Sequence, residues 1–293
     1  MTFGFKRFAA IAVAAAGIIT AQGASAGALF THTGGNNEWI NSSAWTGGSG
    51  FPDQTTEDAR LVSSTSTSVR VNVSIGGIQG DAGSTLSVIR NGSAVGTFTL
   101  NGIAAGGNTP FTASTLDNLS VSNDGTFVNT GSSSLTINRF TVRDNGLFRN
   151  FPNATGRMDL TGGTKILQDN AVMDNYGTLE LSSFMSIRNN ATLNNDLGGT
   201  FTHSAGDMYS FGSSRVLNDA TFTNTGGNLF LSGSALFQNT VNFTQTAGNT
   251  DIGNGSFVNA NSFNNFGTYN HDGGTTNIHG GATLLNDSFY NHD

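Results

Sequence analysis

A triplet made of an apolar residue, any residue and then asparagine recurs along the second half of the chain. The eight triplets are 20 to 27 residues apart, at Phe127/Asn129, Phe148/Asn150, Met173/Asn175, Leu193/Asn195, Val216/Asn218, Phe237/Asn239, Phe257/Asn259 and Leu284/Asn286. The seven intervals between Asn129 and Asn286 cover 157 residues. This gives a mean period of about 22 residues, which is typical of repeat proteins.

A second set of alternating positions falls between the triplets. It consists of Leu135/Ile137, Met158/Leu160, Leu179/Leu181, Phe201/His203, Leu229/Leu231, Val241/Phe243 and Tyr269/His271. Alternation with a period of two is typical of a strand with one buried face. A third, weaker apolar position follows at Ile166, Ile187, Phe211, Ile252 and Ile278. Each period therefore predicts about three short strands, separated by turns rich in Gly, Asn and Ser.

Three short strands in about 22 residues cannot enclose a core, so each unit has to bury its apolar side chains against the next copy. We therefore predict an all-β fold, a right-handed single-stranded parallel β-helix (β-solenoid) with about 22 residues per coil. Each strand would pair in parallel with its equivalents about 4.8 Å above and below. An antiparallel meander or sandwich is the alternative, and it requires Asn-Gly hairpins between neighbouring strands.

The recurrent asparagine is expected at a corner of the coil. Asn tolerates a positive φ better than other non-glycine residues do. Asn-x-Gly recurs at Asn129/Gly131, Asn175/Gly177, Asn224/Gly226 and Asn265/Gly267. Stacked corners would also bring the side-chain amides into a hydrogen-bonded ladder. Recognition of a polar ligand by these amides is the alternative, and the regularity of the repeat favours the ladder.

The chain divides into three predicted parts. Residues 1–26 have the form of a secretory signal peptide, with a charged start, a short apolar run and the cleavage site Ala24-Ser25-Ala26. Residues 27–58 are expected to cap the first coil, because the two tryptophans Trp39 and Trp45 lie there and can cover its apolar end. A carbohydrate-stacking site is the alternative for these rings. Residues 59–293 are expected to form the solenoid, cut off in mid-coil, so further coils and end-to-end association are expected.

Composition excludes several kinds of partner and chemistry. Removal of residues 1–26 would leave ten basic and 19 acidic residues, a net charge of −9, with Lys165 as the only lysine. This balance argues against nucleic acid, whose phosphates attract clustered Lys and Arg, and against an anionic membrane surface. The chain has no cysteine, so it carries neither disulfides nor a reactive thiolate. No later segment is apolar for long enough to predict a transmembrane helix in the mature chain.

No residue set predicts a catalytic, cofactor or metal site. Asn249-Thr250-Asp251 matches one element of the polygalacturonase signature, in which paired carboxylates act on the glycosidic bond, but the other elements are absent. His203 and His271 occupy positions where other coils carry Leu, so they are interpreted as part of the coil wall. An ice-binding face would need Thr-x-Thr on consecutive coils, and the stretch from Ser64 is interpreted as a single instance. The only glutamates lie far apart in sequence, at Glu38, Glu57 and Glu180.

The stretch from Trp39 to Leu61, with Trp45, Pro52 and Asp58-Ala59, is followed by loose Asn/Gly coils. It resembles the opening of exported β-solenoid surface proteins of Gram-negative bacteria, which include autotransporter-type passengers and proteins with a PEP-CTERM sorting tail. The resemblance implies Sec-dependent export, and a place at the cell surface, in the outer membrane or outside the cell. It implies a non-enzymatic structural or adhesive role with an unknown surface or matrix ligand, polysaccharide being one candidate. A polysaccharide-active enzyme, either a lyase or a glycoside hydrolase, is the alternative.

Overall fold

The computed structural model describes residues 29–32, 36–39, 45–46, 51–53, 58–75, 78–81, 84–89, 96–100, 114–130, 134–151, 157–253 and 262–292. All the regular structure within these residues is β-strand. The strands stack in parallel about 21 residues apart and form a β-solenoid of about nine turns. The predicted all-β parallel fold is therefore confirmed, and the antiparallel alternative is wrong.

The solenoid has three faces, and its strands are numbered in chain order. The first face contains β1 (Leu29–His32), β4 (Asp58–Leu61), β7 (Ile78–Gly80), β14 (Arg157–Leu160), β17 (Thr178–Leu181), β20 (Thr200–His203), β23 (Thr221–Asn224), β26 (Asn242–Gln245), β29 (Thr268–His271) and β32 (Phe289–His292). The second face contains β2 (Asn36–Glu38), β5 (Ser66–Val69), β8 (Thr85–Ile89), β15 (Lys165–Leu167), β18 (Met185–Asn189), β21 (Asp207–Gly212), β24 (Asn228–Leu231), β27 (Asn249–Ile252) and β30 (Thr275–Ile278).

The third face forms a separate sheet. It contains β6 (Asn72–Ile75), β9 (Thr97–Leu100), β11 (Thr126–Asn129), β13 (Leu147–Asn150), β16 (Val172–Asn175), β19 (Thr192–Asn195), β22 (Arg215–Asn218), β25 (Leu236–Asn239), β28 (Ser262–Asn265) and β31 (Thr283–Asn286). Two longer strands, β10 (Ser114–Ser122) and β12 (Leu135–Val142), contribute to both the first and the second face. The short strand β3 (Trp45–Thr46) pairs with β1 and is antiparallel to it.

The core of the third face is the predicted column of apolar side chains. Phe127 and Phe148 are fully buried, and their rings stack with centroids 5.2 Å apart. The predicted triplet at Phe257/Asn259 lies outside the described residues. The position above Phe237 in the column belongs to Phe263, with ring centroids 4.6 Å apart. The prediction of Phe257 at that place in the column is therefore wrong.

The buried asparagines at the ends of the third-face strands form the predicted ladder. Each side-chain Nδ2 donates to Oδ1 of the asparagine on the next coil, at 2.9 Å from Asn129 to Asn150 and at 2.6 to 2.8 Å along the rest of the column. Most also donate to a backbone carbonyl, as Asn195 does to Thr221 O at 2.8 Å. The ladder satisfies buried amides that would otherwise destabilise the core. Asn224 is not part of the ladder, because it ends β23 on the first face.

The expected positive φ of the ladder asparagines is wrong. These residues are extended, because each one ends a strand that pairs with the coils on both sides. The left-handed backbone occurs instead in the turns, mainly in those that follow the first and second faces. It is found between the second and third faces at Asn123, Asp124, Asp144, Asp169, Asn189, Gly212, Gly233, Gly253 and Gly280, between the first and second faces at Ser64, Gly162, Gly206, Gly248 and Gly274, and between the third and first faces at Gly198. Most of these residues are Gly, Asn or Asp, which adopt this conformation most easily.

Several apolar residues lie on a different face from the one predicted. Leu229 and Leu231 belong to the second face, paired with Met208 and Ser210. Val241 is 46% exposed in a turn. The weaker positions also divide into two kinds, since Ile187 and Ile252 are buried whereas Ile166 and Phe211 point outward. An alternating pattern identifies a strand, but it does not say which face of the coil that strand joins.

The N-terminal coil is closed by tryptophan. Trp39 and Trp45 are buried, and their indole nitrogens donate to the carbonyls of Pro52 (2.7 Å) and Trp39 (2.8 Å). This burial fits the predicted cap and leaves neither ring a face for stacking on a sugar. Strand β1 lies in the segment predicted as the cap and already pairs in parallel with β4. The predicted signal peptide, residues 1–26, lies outside the described residues.

We expect Asn195→Ala to lower the free energy of unfolding by roughly 1–3 kcal/mol, the cost of leaving buried hydrogen-bonding groups unsatisfied. Asn195 accepts from Asn175 (2.8 Å) and donates to Asn218 (2.7 Å), so its loss interrupts the ladder. Denaturant unfolding measures the change. Asn194→Ala is the matched control, because Asn194 points outward beside it and bonds Asp174 at 2.8 Å. Equal destabilisation by both variants would contradict the role of the ladder.

Candidate functional site

Outward side chains on the second face include a row of aromatic rings. Tyr209 and Phe230 occupy equivalent positions on β21 and β24, and their rings stack with centroids 4.5 Å apart and planes 15° apart. Phe184 lies just before β18, with its ring centroid 5.7 Å from that of Tyr209 and tilted by 40°. Phe184 is 40% exposed. We call Phe184, Tyr209 and Phe230 the aromatic row.

Carboxylates and amides flank the aromatic row. Asp251 follows Phe230 in the same outward column and accepts from Asn277 Nδ2 at 2.6 Å. Asp207 lies in the neighbouring column and accepts from Asn228 Nδ2 at 2.9 Å. Partial burial, together with the negative charges of Asp207 and Asp251, raises the pKa of Tyr209. The row therefore combines apolar ring surface with hydrogen-bonding groups at its edges.

The first face brings together two carboxylates that are distant in sequence. Asp159 and Glu180 are register partners on β14 and β17. Arg157 forms ion pairs with Asp159 and, at 2.5 Å, with Glu180. The hydrogen bond to Asp159 is the main cause that raises the pKa of Arg157. Ser204 Oγ also donates to Glu180 at 2.8 Å. The sequence analysis did not predict this pairing of Glu180 with Asp159, and the shared guanidinium makes the group an ion-pair link between coils.

Threonines continue along the same face. Thr200 and Thr202 on β20 pair with Thr221 and Thr223 on β23. The interpretation of Thr-x-Thr as a single instance near Ser64 is therefore wrong, because two consecutive coils carry it here. On the next coil, β26 has asparagine at the first of the two positions. The full Thr-x-Thr array in this part of the solenoid thus covers two coils.

The polygalacturonase-like triplet does not form an acid pair. Thr250 points inward and is fully buried, and its hydroxyl donates to Gln245 Oε1 at 2.9 Å. Asp251 faces outward, with Asn277 and His279 as its partners, the latter at 3.7 Å. An amide and an imidazole thus stand where the enzymatic interpretation needs a second carboxylate.

The histidines lie in the wall of the coil, as their positions predict. His203 is fully buried, and burial lowers its pKa to about 4. His271 is also buried, and its ring lies 4.9 Å from that of His292 on the next coil. Within the residues that the structure describes, no group of three or more His, Cys, Asp or Glu side chains could hold a metal ion.

Lys165 is a buried cation held by oxygen atoms. Its Nζ donates to the carbonyls of Asn138 (2.6 Å), Thr161 (2.8 Å) and Gly163 and to Ser183 Oγ (2.9 Å). Burial lowers the pKa of Lys165 to about 8. The sequence analysis did not assign this role to Lys165. The available signal was an inward strand position occupied by the only lysine outside the predicted signal peptide. The four bonds join the corner between the first and second faces to Asn138 on the preceding coil and to Ser183 on the following coil.

The aromatic row was also missed from sequence. The available signal was that Tyr209 and Phe230 are one repeat apart. Each follows an inward apolar residue, Met208 or Leu229, so each ring is expected to point outward.

Comparison with protein-family models, with curated proteins and with solved structures finds no match to this chain. Among the described residues, no helix has the length and apolar character needed to cross a membrane.

Proposed function

We propose that the protein is an exported, non-enzymatic β-solenoid with a structural or adhesive role at the cell surface, in the outer membrane or outside the cell. The observation that carries the proposal is the repetition of outward side chains in columns along the rod. The columns offer hydroxyl, amide and aromatic groups on successive coils, such as Thr202, Thr223 and Thr244 on the first face. A repeated surface of this kind suits contact with an extended partner.

Export is supported by the signal-like pattern of residues 1–26. The net charge of the chain restricts the chemical class of its partner. A mature net charge of −9 disfavours nucleic acid and acidic surfaces. End-to-end association of rods is kept as part of the proposal. It is supported by the way the coils stack, since each coil buries its apolar side chains against a neighbouring coil.

A polysaccharide-active enzyme is the second candidate function, and one observation favours it. Asp159 and Glu180 are adjacent carboxylates on one outward face, as glycosidic bond hydrolysis requires. Arg157 binds both of them, which favours a role in stability. The two candidates differ in whether a polymer is cleaved.

One experiment tests both candidates. The chain is expressed with residues 1–26 in a Gram-negative host, and a matched chain lacking residues 2–26 is the control. We expect only the first to be processed and exported, and we expect the purified protein to leave pectin and alginate uncleaved. Retention of the unprocessed chain in the cytoplasm would overturn the proposal. Cleavage that disappears in Glu180→Gln or Asp251→Asn would establish the enzyme instead.

A further inference from the structure

The aromatic row is a rigid, partly apolar surface on the outside of the rod. Tyr209 and Phe230 are held by parallel pairing of β21 with β24, and they stack on each other. The ring of Phe184 is tilted by 40° relative to that of Tyr209, so it is not part of the stack, and Phe184 is 40% exposed. Rings fixed in advance lose little conformational freedom when a ligand binds, which makes them effective anchors.

The groups around the row select the chemistry of a ligand. A pyranose ring has faces lined by C–H groups and a rim of hydroxyls, so it needs an apolar surface with donors and acceptors at its edge. The row supplies the surface, and the pair Asp207/Asn228 supplies a carboxylate and an amide beside it. Asn277 adds a further amide next to the buried Asp251. Binding sites commonly combine ring surface with a few polar groups in this way.

The charges beside the aromatic row and the length of the row further restrict the class of ligand. Asp207 and Asp251 repel an acidic polymer, and the basic side chain of these strands is Arg188, in the neighbouring column beside Phe211. The row runs through β18, β21 and β24, which spans roughly 10 Å along the rod at the spacing of paired strands. This length exceeds one sugar ring, so it fits a chain of sugars lying along the axis.

We propose that the aromatic row binds a neutral polysaccharide with flat sugar faces, such as a β-linked glucan. The inference rests on the proposed adhesive function, and it names the class of ligand that binds the second face of the solenoid. Phe184 is the principal anchor, Tyr209 and Phe230 extend the apolar surface, and Asp207 accepts hydrogen bonds from sugar hydroxyls.

The test is calorimetric titration of the purified mature chain with cellohexaose and laminarihexaose, and with an oligogalacturonate as the acidic comparison. We expect binding of a neutral hexasaccharide and none of the oligogalacturonate. Phe184→Ala should weaken the neutral ligand by roughly tenfold, as truncation of an anchoring aromatic side chain typically does. Tyr209→Ala should weaken it as well.

Phe151→Ala is the matched control. Phe151 is 36% exposed, close to the exposure of Phe184, and its ring stacks on Tyr176 with centroids 4.5 Å apart, in the turn after the third face. It should leave affinity unchanged, and melting curves would show that each variant is folded. Equal affinity of Phe184→Ala and the unsubstituted chain, or no binding of either neutral hexasaccharide, would overturn the inference. Those outcomes leave the adhesive proposal standing if the chain is exported and cleaves no polymer, so the two failures are distinguishable.

Discussion

Phe148→Ala is expected to lower the free energy of unfolding by about 3–5 kcal/mol, the usual cost of removing a fully buried aromatic side chain. Phe148 is inaccessible to solvent, stacks on Phe127 at 5.2 Å and contacts Phe140 edge-on at 4.9 Å. The cavity cannot close easily, because the backbone on both sides is fixed by β11 and β16. Denaturant unfolding monitored by circular dichroism measures the change.

The loss should be felt mainly by adjacent coils, since stability in stacked repeats is a sum over nearest neighbours. Hydrogen exchange should therefore show lower protection in β11, β13 and β16 than in distant coils. Phe151→Ala, three residues along and partly exposed, is the control and should cost less than about 1 kcal/mol. A change below about 0.5 kcal/mol in Phe148→Ala would contradict the burial of this ring.

His203 is expected to make the protein sensitive to acid. Burial lowers the pKa of His203 from 6.5 to about 4 in the folded protein, so the unfolded chain binds more protons between these two values. The contribution of neutral His203 to the free energy of unfolding is therefore complete above pH 6.5, and it is lost progressively as the pH falls to 4. The shift corresponds to about 3 kcal/mol at the end of that range.

His203→Leu removes the titrating group while keeping an inward side chain, as Leu181 provides on the preceding coil. Its free energy of unfolding should fall less steeply between pH 7 and pH 4 than that of the unsubstituted protein. The two proteins differ only at residue 203, so the difference in slope isolates His203. His279→Asn, at an exposed histidine, is the matched control. Identical pH dependence in the His203→Leu variant and the unsubstituted protein would rule out this role.

Several features of the fold are determined by the sequence alone. The period of the Asn triplets predicts parallel stacking, the Asn ladder and the buried position of Phe148, and the structure confirms all three. The reason is that each coil buries its side chains only against its neighbours, so equivalent residues must pack and hydrogen-bond with one another. A repeat in sequence therefore becomes a column in space.

The phase of the repeat and the identity of the outward faces are decided only by the tertiary structure. Phe263, rather than Phe257, continues the third-face column, and Leu229 joins the second face. No sequence pattern indicates that Asp159 and Glu180 are register partners. Alternation has the same period of two on all three faces, so it identifies neither the face to which a strand belongs nor the strand with which it pairs. Turn lengths between strands set both, and these become visible only when the coils are stacked.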